Sequence, residues 1–258
     1  MIEMNFKKLI KKMLIKIFDI PIKKLGYQRK RGLNIYNNNI LIENLINLLQ
    51  IANFYPKIIL DIGANHGSWS RIWKHKFPDV KLFLVEPQFW LESSSTDIID
   101  SESKFLPIGA GKENKVLPFT INSDRDDSST FALKKNEADS RGFNQIEVLV
   151  MPINEIINQY IFQIPDIIKI DAEGLDIEVL EGATQTFGKT EIYFVEVSIN
   201  SSFGNNNLIN VINFMDSKGY QAFDITDINR PFQSGILWLL ELVFVKKDSF
   251  LTKIDWTV

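Results

Sequence analysis

The 258-residue chain contains no cysteine. Disulfides, thiolate nucleophiles, cysteine-ligated zinc and iron–sulfur chemistry are therefore excluded. Histidine is scarce as well, with only His66 and His75 present. They form no HExxH pair, and a Ser-His-Asp triad or a histidine zinc site would have to be built on one of them. No apolar run approaches the roughly 20 residues that a bilayer crossing requires. The rest of the composition is that of a globular protein, with 45% apolar and 24% charged residues. The length suffices for one large α/β domain or two small ones.

Net charge is −3, but it is unevenly spread. Residues 1–31 hold ten basic and two acidic side chains, which leaves nineteen basic against thirty acidic in the remainder. An acidic body argues against nucleic acid as a partner. In the leading segment Phe6, Leu9, Ile10, Met13, Leu14, Ile17 and Phe18 share one helical face, with lysines elsewhere on the wheel, and Pro21 ends the pattern. Two readings stay open for this amphipathic helix: packing on the body, or peripheral contact with an anionic membrane surface. Lysines interrupt any signal-peptide core, so a cytoplasmic protein is expected, with the inner membrane face as the place of any such contact. The charge and pattern divide the chain, as an expectation, into a basic helical segment, 1–32, and one larger domain, 33–258.

A helical pattern spans Ile40 to Phe54. Beyond it, short β-branched runs alternate with helical stretches. Strands are expected at Ile58–Ile62, Leu82–Glu86, Phe105–Ile108, Ile167–Asp171 and Ile192–Val197. Helices are expected at Ser68–Phe77, Phe89–Ile99, Ile153–Ile161, Leu175–Phe187 and Leu208–Ser217. Runs without polar alternation suit strands buried on both faces, hence a parallel sheet covered by helices. Ala222–Ile225 and Leu237–Val245 lack an intervening helix and read as an antiparallel pair at one sheet edge. The polar segment from Asn122 to Arg141 reads as a long loop over the ligand-binding end.

In KIILDIGANHGSWS (Lys57–Ser70), Asp61, Gly63, Asn65 and Gly67 occupy alternate positions at the end of a buried strand. Glycine allows positive φ and close approach of a ligand, and Asn is the next most tolerant residue there. The dinucleotide pattern GxGxxG would need glycine at 65 and 68, which hold Asn65 and Ser68. The spacing D-x-G-x-G-x-G fits with one substitution. An acid at Asp61 would repel phosphate but can hold an ammonium, which suits S-adenosyl-L-methionine. Nineteen residues after Gly67, Glu86 ends the next strand, where an acid can take both ribose hydroxyls. A second constellation, IIKIDAEGLDIEVLEGA (Ile167–Ala183), places Asp171 and Glu173 at another strand end. Carboxylates there suit a general base, a metal ligand or a cofactor clamp, or else a helix cap. Glu196, in FVEVS, is a further candidate. No residues are assigned to a metal.

DIGANHGSWS, VEP and KIDAEGLDIEVLEGA together resemble the FkbM-type methyltransferases, a branch of the class I S-adenosylmethionine-dependent enzymes, as does the closing LELVFVKK. The resemblance covers roughly residues 33–247. It implies a Rossmann-like, doubly wound α/β fold with a seven-stranded, mostly parallel sheet, an antiparallel last strand and helices on both faces. It implies O-methyl transfer to a hydroxyl of a sugar, glycan or related small molecule. Carried over by position, Asp61, Gly63, Ala64, Asn65, Gly67 and Ser70 surround the amino-acid end of the cofactor and Glu86 meets the ribose. Ile108, within PIGAG, lies against adenine. Among the carboxylates read from the strand ends, Asp171 or Glu173, with Glu196 as a further candidate, is expected to be catalytic, Asp171 also touching cofactor. Ser128 and Ser129 match a Ser-Ser pair of the family, and His66 stands where a small residue is usual. Three alternatives differ in sequence signals. An NAD-dependent oxidoreductase or epimerase needs Tyr-x-x-x-Lys, which is absent. An N-methyltransferase needs an N/D-P-P-Y/F tetrapeptide, also absent. A catalytically inert nucleoside- or glycan-binding module would have no reason to keep Asp61, Glu86 and Asp171 together.

Overall fold

The computed structural model describes residues 27–30, 33–36, 38–122, 129–131, 133–200 and 204–254. The amphipathic helix expected in the leading segment lies outside these residues. The described chain opens with an antiparallel pair, β1 (Tyr27–Lys30) and β2 (Leu33–Tyr36), followed by α1 (Asn38–Ile51). Next come β3 (Ile58–Ile62), α2 (Ser68–Lys76), β4 (Lys81–Val85), a 3-10 stretch (Phe89–Ser95), β5 (Lys104–Leu106), β6 (Gly109–Ala110), β7 (Lys115–Ile121), α3 (Lys135–Ser140) and β8 (Asn144–Met151). The chain continues through α4 (Ile153–Ile156), a π turn (Ile157–Ile161), β9 (Ile167–Ile170), α5 (Asp176–Glu181), β10 (Ile192–Ser198), α6 (Leu208–Ser217), β11 (Tyr220–Asn229) and β12 (Leu239–Lys246).

Seven strands form one sheet in the order β11-β12-β10-β9-β3-β4-β5. Every pairing from β10 to β5 is parallel, and β12 runs antiparallel to both of its neighbours. This is the mostly parallel sheet with a reversed last strand that the sequence leads one to expect. The reversed strand is inserted between β10 and β11, which leaves β11 at the edge. Two apolar layers sandwich the sheet. On one face Ile59, Leu82, Leu84, Ile167, Phe194, Val243 and Val245 pack under α1 (Leu45, Ile46, Leu49) and α2 (Trp73). On the other, Leu60, Ile62, Val85, Ile168, Ile170, Val195 and Phe244 meet α4 (Ile153, Ile156), α5 (Val179, Leu180) and α6 (Val211, Met215). Helices on both faces make the sheet doubly wound, and they explain why β3 is buried along its whole length.

Several elements differ from expectation. Phe89–Ser95 is a 3-10 stretch rather than the start of an α-helix to Ile99, and the helix expected over Leu175–Phe187 is confined to Asp176–Glu181. A three-stranded sheet, β6-β8-β7, is an addition to the expected fold. β6 runs parallel to β8, and β7 and β8 pair antiparallel over seven residues. The described part of the expected 122–141 loop contains the short helix α3.

Candidate active site

Four central strands change character at the same end and on the same face. β3 presents Ile59 and then Asp61. β9 presents Ile167 and Lys169, with Asp171 just beyond. β10 presents Ile192, Phe194 and Glu196, and β12, running the other way, Val245, Val243 and Glu241. Side chains two apart share a face, so one apolar layer under α1 and α2 is crowned by a charged row. In register, Asp61 pairs with Lys169, Lys169 with Phe194, and Glu196 with Glu241. A cleft of about 540 Å³ opens over this row, at the C-terminal ends of the parallel strands, where ligands of such sheets bind.

The turn after β3 forms one wall. Gly63 has φ +74°, and a Cβ there would sit 1.8 Å from the Asp171 carbonyl oxygen. Only glycine lets the turn pack on the end of β9. Asn65 also has positive φ, 47°, and its backbone N–H donates to Glu86 Oε2 at 2.8 Å. Glu86 Oε1 accepts from the Gln88 backbone at 2.9 Å and from Gln88 Nε2 at 3.2 Å. Ser129 Oγ donates to Gln88 Oε1 at 3.2 Å, which fixes the amide. Burial raises the Glu86 carboxyl, against the pull of these hydrogen bonds. Gly67, at φ +74°, is followed directly by α2.

Beneath the turn Asp61 is fully buried. Its Oδ2 accepts from Ser70 Oγ at 2.6 Å, whereas Oδ1 has no hydrogen-bond partner and lies 3.7 Å from Lys169 Nζ. Burial raises its carboxyl, with Lys169 opposing. Lys169 Nζ donates to Asp171 Oδ2 at 3.0 Å. Burial alone would lower the lysine, but Asp171, Asp61 and Glu241 overcome that and hold it above its ordinary value, so it remains a cation.

The β11–β12 end of the cleft is built differently. Trp69, Ile72 and Ile42 make an apolar wall, and Thr226, Asp227 and Glu241 face it. Glu241 Oε1 accepts from Thr226 Oγ1 at 2.5 Å and from Trp69 Nε1 at 3.3 Å. Burial pushes its carboxyl up to about 7, against Lys169 and Thr226. At the opposite end, Gly109 and Ala110 lie beside Phe119 and Phe131, whose ring centroids are 4.7 Å apart.

Of the residues nominated by sequence, Gly63, Ala64, Asn65, Glu86, Asp171 and Glu173 line the cleft. Asp61 and Ser70 are buried beneath it, and Gly67 is packed against Ser95 and Ile98. Ile108 belongs to the apolar layer on the α4–α6 face, and its neighbours Gly109 and Ala110 reach the cleft in its place. Glu196 lines a smaller recess beside Asp171 rather than the main cleft, and burial, then Asp171, Asp176 and Glu173, hold its carboxyl well above the ordinary value. His66 is exposed at the rim, with Nδ1 3.0 Å from Ser94 Oγ. Ser129 lines the cleft, and Ser128 lies outside the described residues. Lys169, Gln88, Phe131, Thr226 and Glu241 were not nominated. The signal for Lys169 and Glu241 was present as alternation: a charge two positions beyond a buried apolar residue at a strand end. No group of three or more acidic or histidine side chains among the described residues is placed to hold a metal ion.

The family described as "Methyltransferase FkbM domain" matches residues 61–222, more than half of the chain and the part that carries the turn, Glu86 and the β9 end. A "Methyltransferase sdnD" from Sordaria araneosa is 26% identical over 156 residues, 49% of this chain; the chain spans 60% of that relative's length. Among solved structures, precorrin-6y C5,15-methyltransferase from Geobacter metallireducens aligns with a TM-score of 0.45 and 11% identity, over 80% of this chain and 88% of that one. The plantazolicin methyltransferase BamL, solved with a triazolic desmethylPZN analogue and SAH, aligns with a TM-score of 0.47 and 14% identity, over 82% and 85%. The cleft suits the methyl donor of the matched family. A buried carboxylate oxygen without a partner lies below the turn, Glu86 presents acceptors at the next strand end, and a close-packed glycine turn joins them. This chain belongs to the FkbM methyltransferase family, and its cofactor is S-adenosyl-L-methionine.

Proposed function

We propose that the chain methylates a hydroxyl of a sugar, glycan or related small molecule. One observation carries this reading: the cleft has two chemically distinct ends joined by the Asp61–Lys169–Asp171 row. At one end Asp61, Gly63, Ala64, Asn65, Gly67 and Ser70 form or support the turn that takes the amino-acid part of the cofactor. Glu86 takes the ribose hydroxyls, and Gly109, Ala110 and Phe131 make the adenine slot, with Ile108 behind it. When bound, S-adenosylmethionine supplies an activated methyl group. The other end receives the acceptor. There the aromatic and aliphatic wall of Trp69, Ile42 and Ile72 suits the C–H face of a ring, and the carboxylates opposite suit a hydroxyl-rich edge. Asp171, with Glu173 at the rim and Glu196 in the adjoining recess, orders the acceptor and shields it from water. An acidic wall disfavours phosphorylated acceptors and nucleic acid.

No helix among the described residues is long and apolar enough to cross a membrane. A cytoplasmic location and a peripheral membrane contact through residues 1–31 rest on the charge pattern alone.

Calorimetric titration with S-adenosylhomocysteine and, in parallel, NAD tests the cofactor half. Micromolar affinity for the former and none for the latter is expected; binding of NAD would overturn it. Transfer of label from S-[methyl-³H]adenosylmethionine to glucose, galactose, rhamnose or N-acetylglucosamine tests the acceptor half. Label on nitrogen only, or on none of these, would overturn the hydroxyl reading.

A further inference from the structure

We propose that Glu241, which lies in the closing LELVFVKK segment but is given no role by the sequence, is the group that takes the acceptor's hydroxyl proton. The inference rests on the hydroxyl reading above, and it deepens that reading by choosing among the carboxylates in and around the cleft. Glu86 is held at the cofactor end by Asn65 and Gln88. Asp227 has one oxygen on the Ile228 backbone and, half-buried, is more open to water than Glu241. Asp61 is fully buried beneath the turn at the cofactor end, with Ser70 on its Oδ2. Asp171 has Lys169 Nζ at 3.0 Å, so its charge is already matched by a buried cation. Glu196 opens only to the smaller recess. Glu173 sits half-buried on the turn after β9, where water competes for it. Glu241 lines the main cleft at its acceptor end, nearly buried. Its Oε1 is held by two donors on two different elements, Thr226 on β11 and Trp69 on α2. Among the described residues nothing hydrogen-bonds Oε2. This arrangement suits a base: one oxygen is anchored and the other is left without a hydrogen bond, on a residue that lines the cleft.

The acceptor O–H bond breaks with its electron pair left on oxygen, and oxygen would take the methyl group as the S–CH₃ bond of the donor breaks, that pair staying on sulfur to leave S-adenosylhomocysteine. The proton goes to Glu241 Oε2, and the carboxylate becomes a neutral acid. The groups facing it act in both directions. Lys169 on β9 and the Thr226 hydroxyl favour the charged form; Asp227 on β11 and Asp171 beyond β9 disfavour it, and Glu196 is its cross-strand neighbour on β10. With burial dominant, Glu241 changes protonation at about 7, where a base works best near neutral pH.

The test compares wild type with Glu241→Gln, an isostere that can still accept from Trp69 and Thr226. In the cofactor-free full chain the Trp69 indole ¹H–¹⁵N resonance, assigned through Trp69→Phe, is followed with pH. It should titrate near neutrality in wild type and lose that transition in Glu241→Gln; a Trp69 signal flat across this range in wild type overturns the inference. In the labelled-methyl assay on the four sugars, Glu241→Gln should lower turnover about 100-fold, with S-adenosylhomocysteine affinity changed by no more than about twofold. Turnover retained, or cofactor affinity lost in step with turnover, overturns the role of Glu241 alone. Wild type that binds S-adenosylhomocysteine yet labels no sugar overturns the hydroxyl reading and this inference with it.

Discussion

Asn65 occupies a left-handed position, φ 47°, in a turn whose other two such positions are glycines. Its part in the site is played by the backbone, whose N–H reaches Glu86, while its side-chain Oδ1 accepts from the His66 backbone at 2.7 Å. Asn65→Gly should therefore keep S-adenosylhomocysteine affinity within about threefold, since φ remains allowed and the donor remains in place. Glu86→Gln should behave otherwise. The carboxylate accepts from two backbone N–H groups on opposite oxygens, so an amide must set its own NH₂ against one of those donors and leave it unpaired. About 2 kcal/mol is lost by such a mismatch, or roughly a 30-fold weaker affinity, besides the loss of the ribose contact proposed above. Calorimetry on the two variants separates these outcomes. Equal weakening would mean that the turn's shape, rather than the acid, governs binding.

At the scale of elements, the small β6-β8-β7 sheet is joined to the main body through Gly182 at the end of α5. A Cβ on Gly182 would lie 2.1 Å from the Gly111 carbonyl oxygen and 3.2 Å from Pro152 Cα. Gly188, six residues on, has φ +77°, and a Cβ there would meet nothing within 4 Å. Gly188→Ala should cost only the left-handed penalty, about 1 kcal/mol. Gly182→Ala should cost about 3 kcal/mol by forcing two backbones apart. Urea midpoints give both values, and equal losses would mean that α5 and the small sheet can separate freely. That sheet was not legible in the sequence. β7 alternates half-buried and exposed residues over Lys115–Pro118, carries Pro118 and pairs with a strand more than twenty residues away across a polar segment. The main sheet was legible because strands buried on both faces write continuous apolar runs, which no surface loop imitates. The glycine turn was legible for the same local reason: its conformation is set within seven residues. Glu241 and Lys169 needed the register of β12, β10, β9 and β3 to come together, and a linear reading has no register. Ile108 sits between β5 and β6 in the apolar layer on the α4–α6 face, whereas Gly109 and Ala110 after it line the cleft, a local offset that position in the sequence does not reveal.

Across the whole molecule, the charged row gives stability an unusual pH dependence. Burial holds Glu241 up to about 7 and Asp176 up to about 6, and it raises Asp61, Glu86 and Glu196 as well. Unfolding returns these groups to ordinary carboxylate values near 4. Between those values and the raised ones, the folded chain holds protons that the unfolded chain has released. Stability is thus greater toward the acid side of that window and is lost as pH rises through 6 and 7. Asp97 and Asp100, held low by Arg71 and Lys74, act in the opposite sense, but only below about pH 4. The cofactor-free protein should therefore melt at a higher temperature at pH 6 than at pH 8. For Glu241 alone, the upward displacement corresponds to about 3 kcal/mol of stability given up at pH 8. Glu241→Gln should recover part of it, raising the melting temperature at pH 8 and flattening its fall between pH 6 and 8. A melting temperature that climbs with pH over this range, or a slope unchanged by Glu241→Gln, would show that the row is better solvated than its burial implies. The expected result would mean that burial keeps Glu241 protonated to higher pH in the folded chain at a cost in stability above neutrality, the linkage that the base proposed above entails.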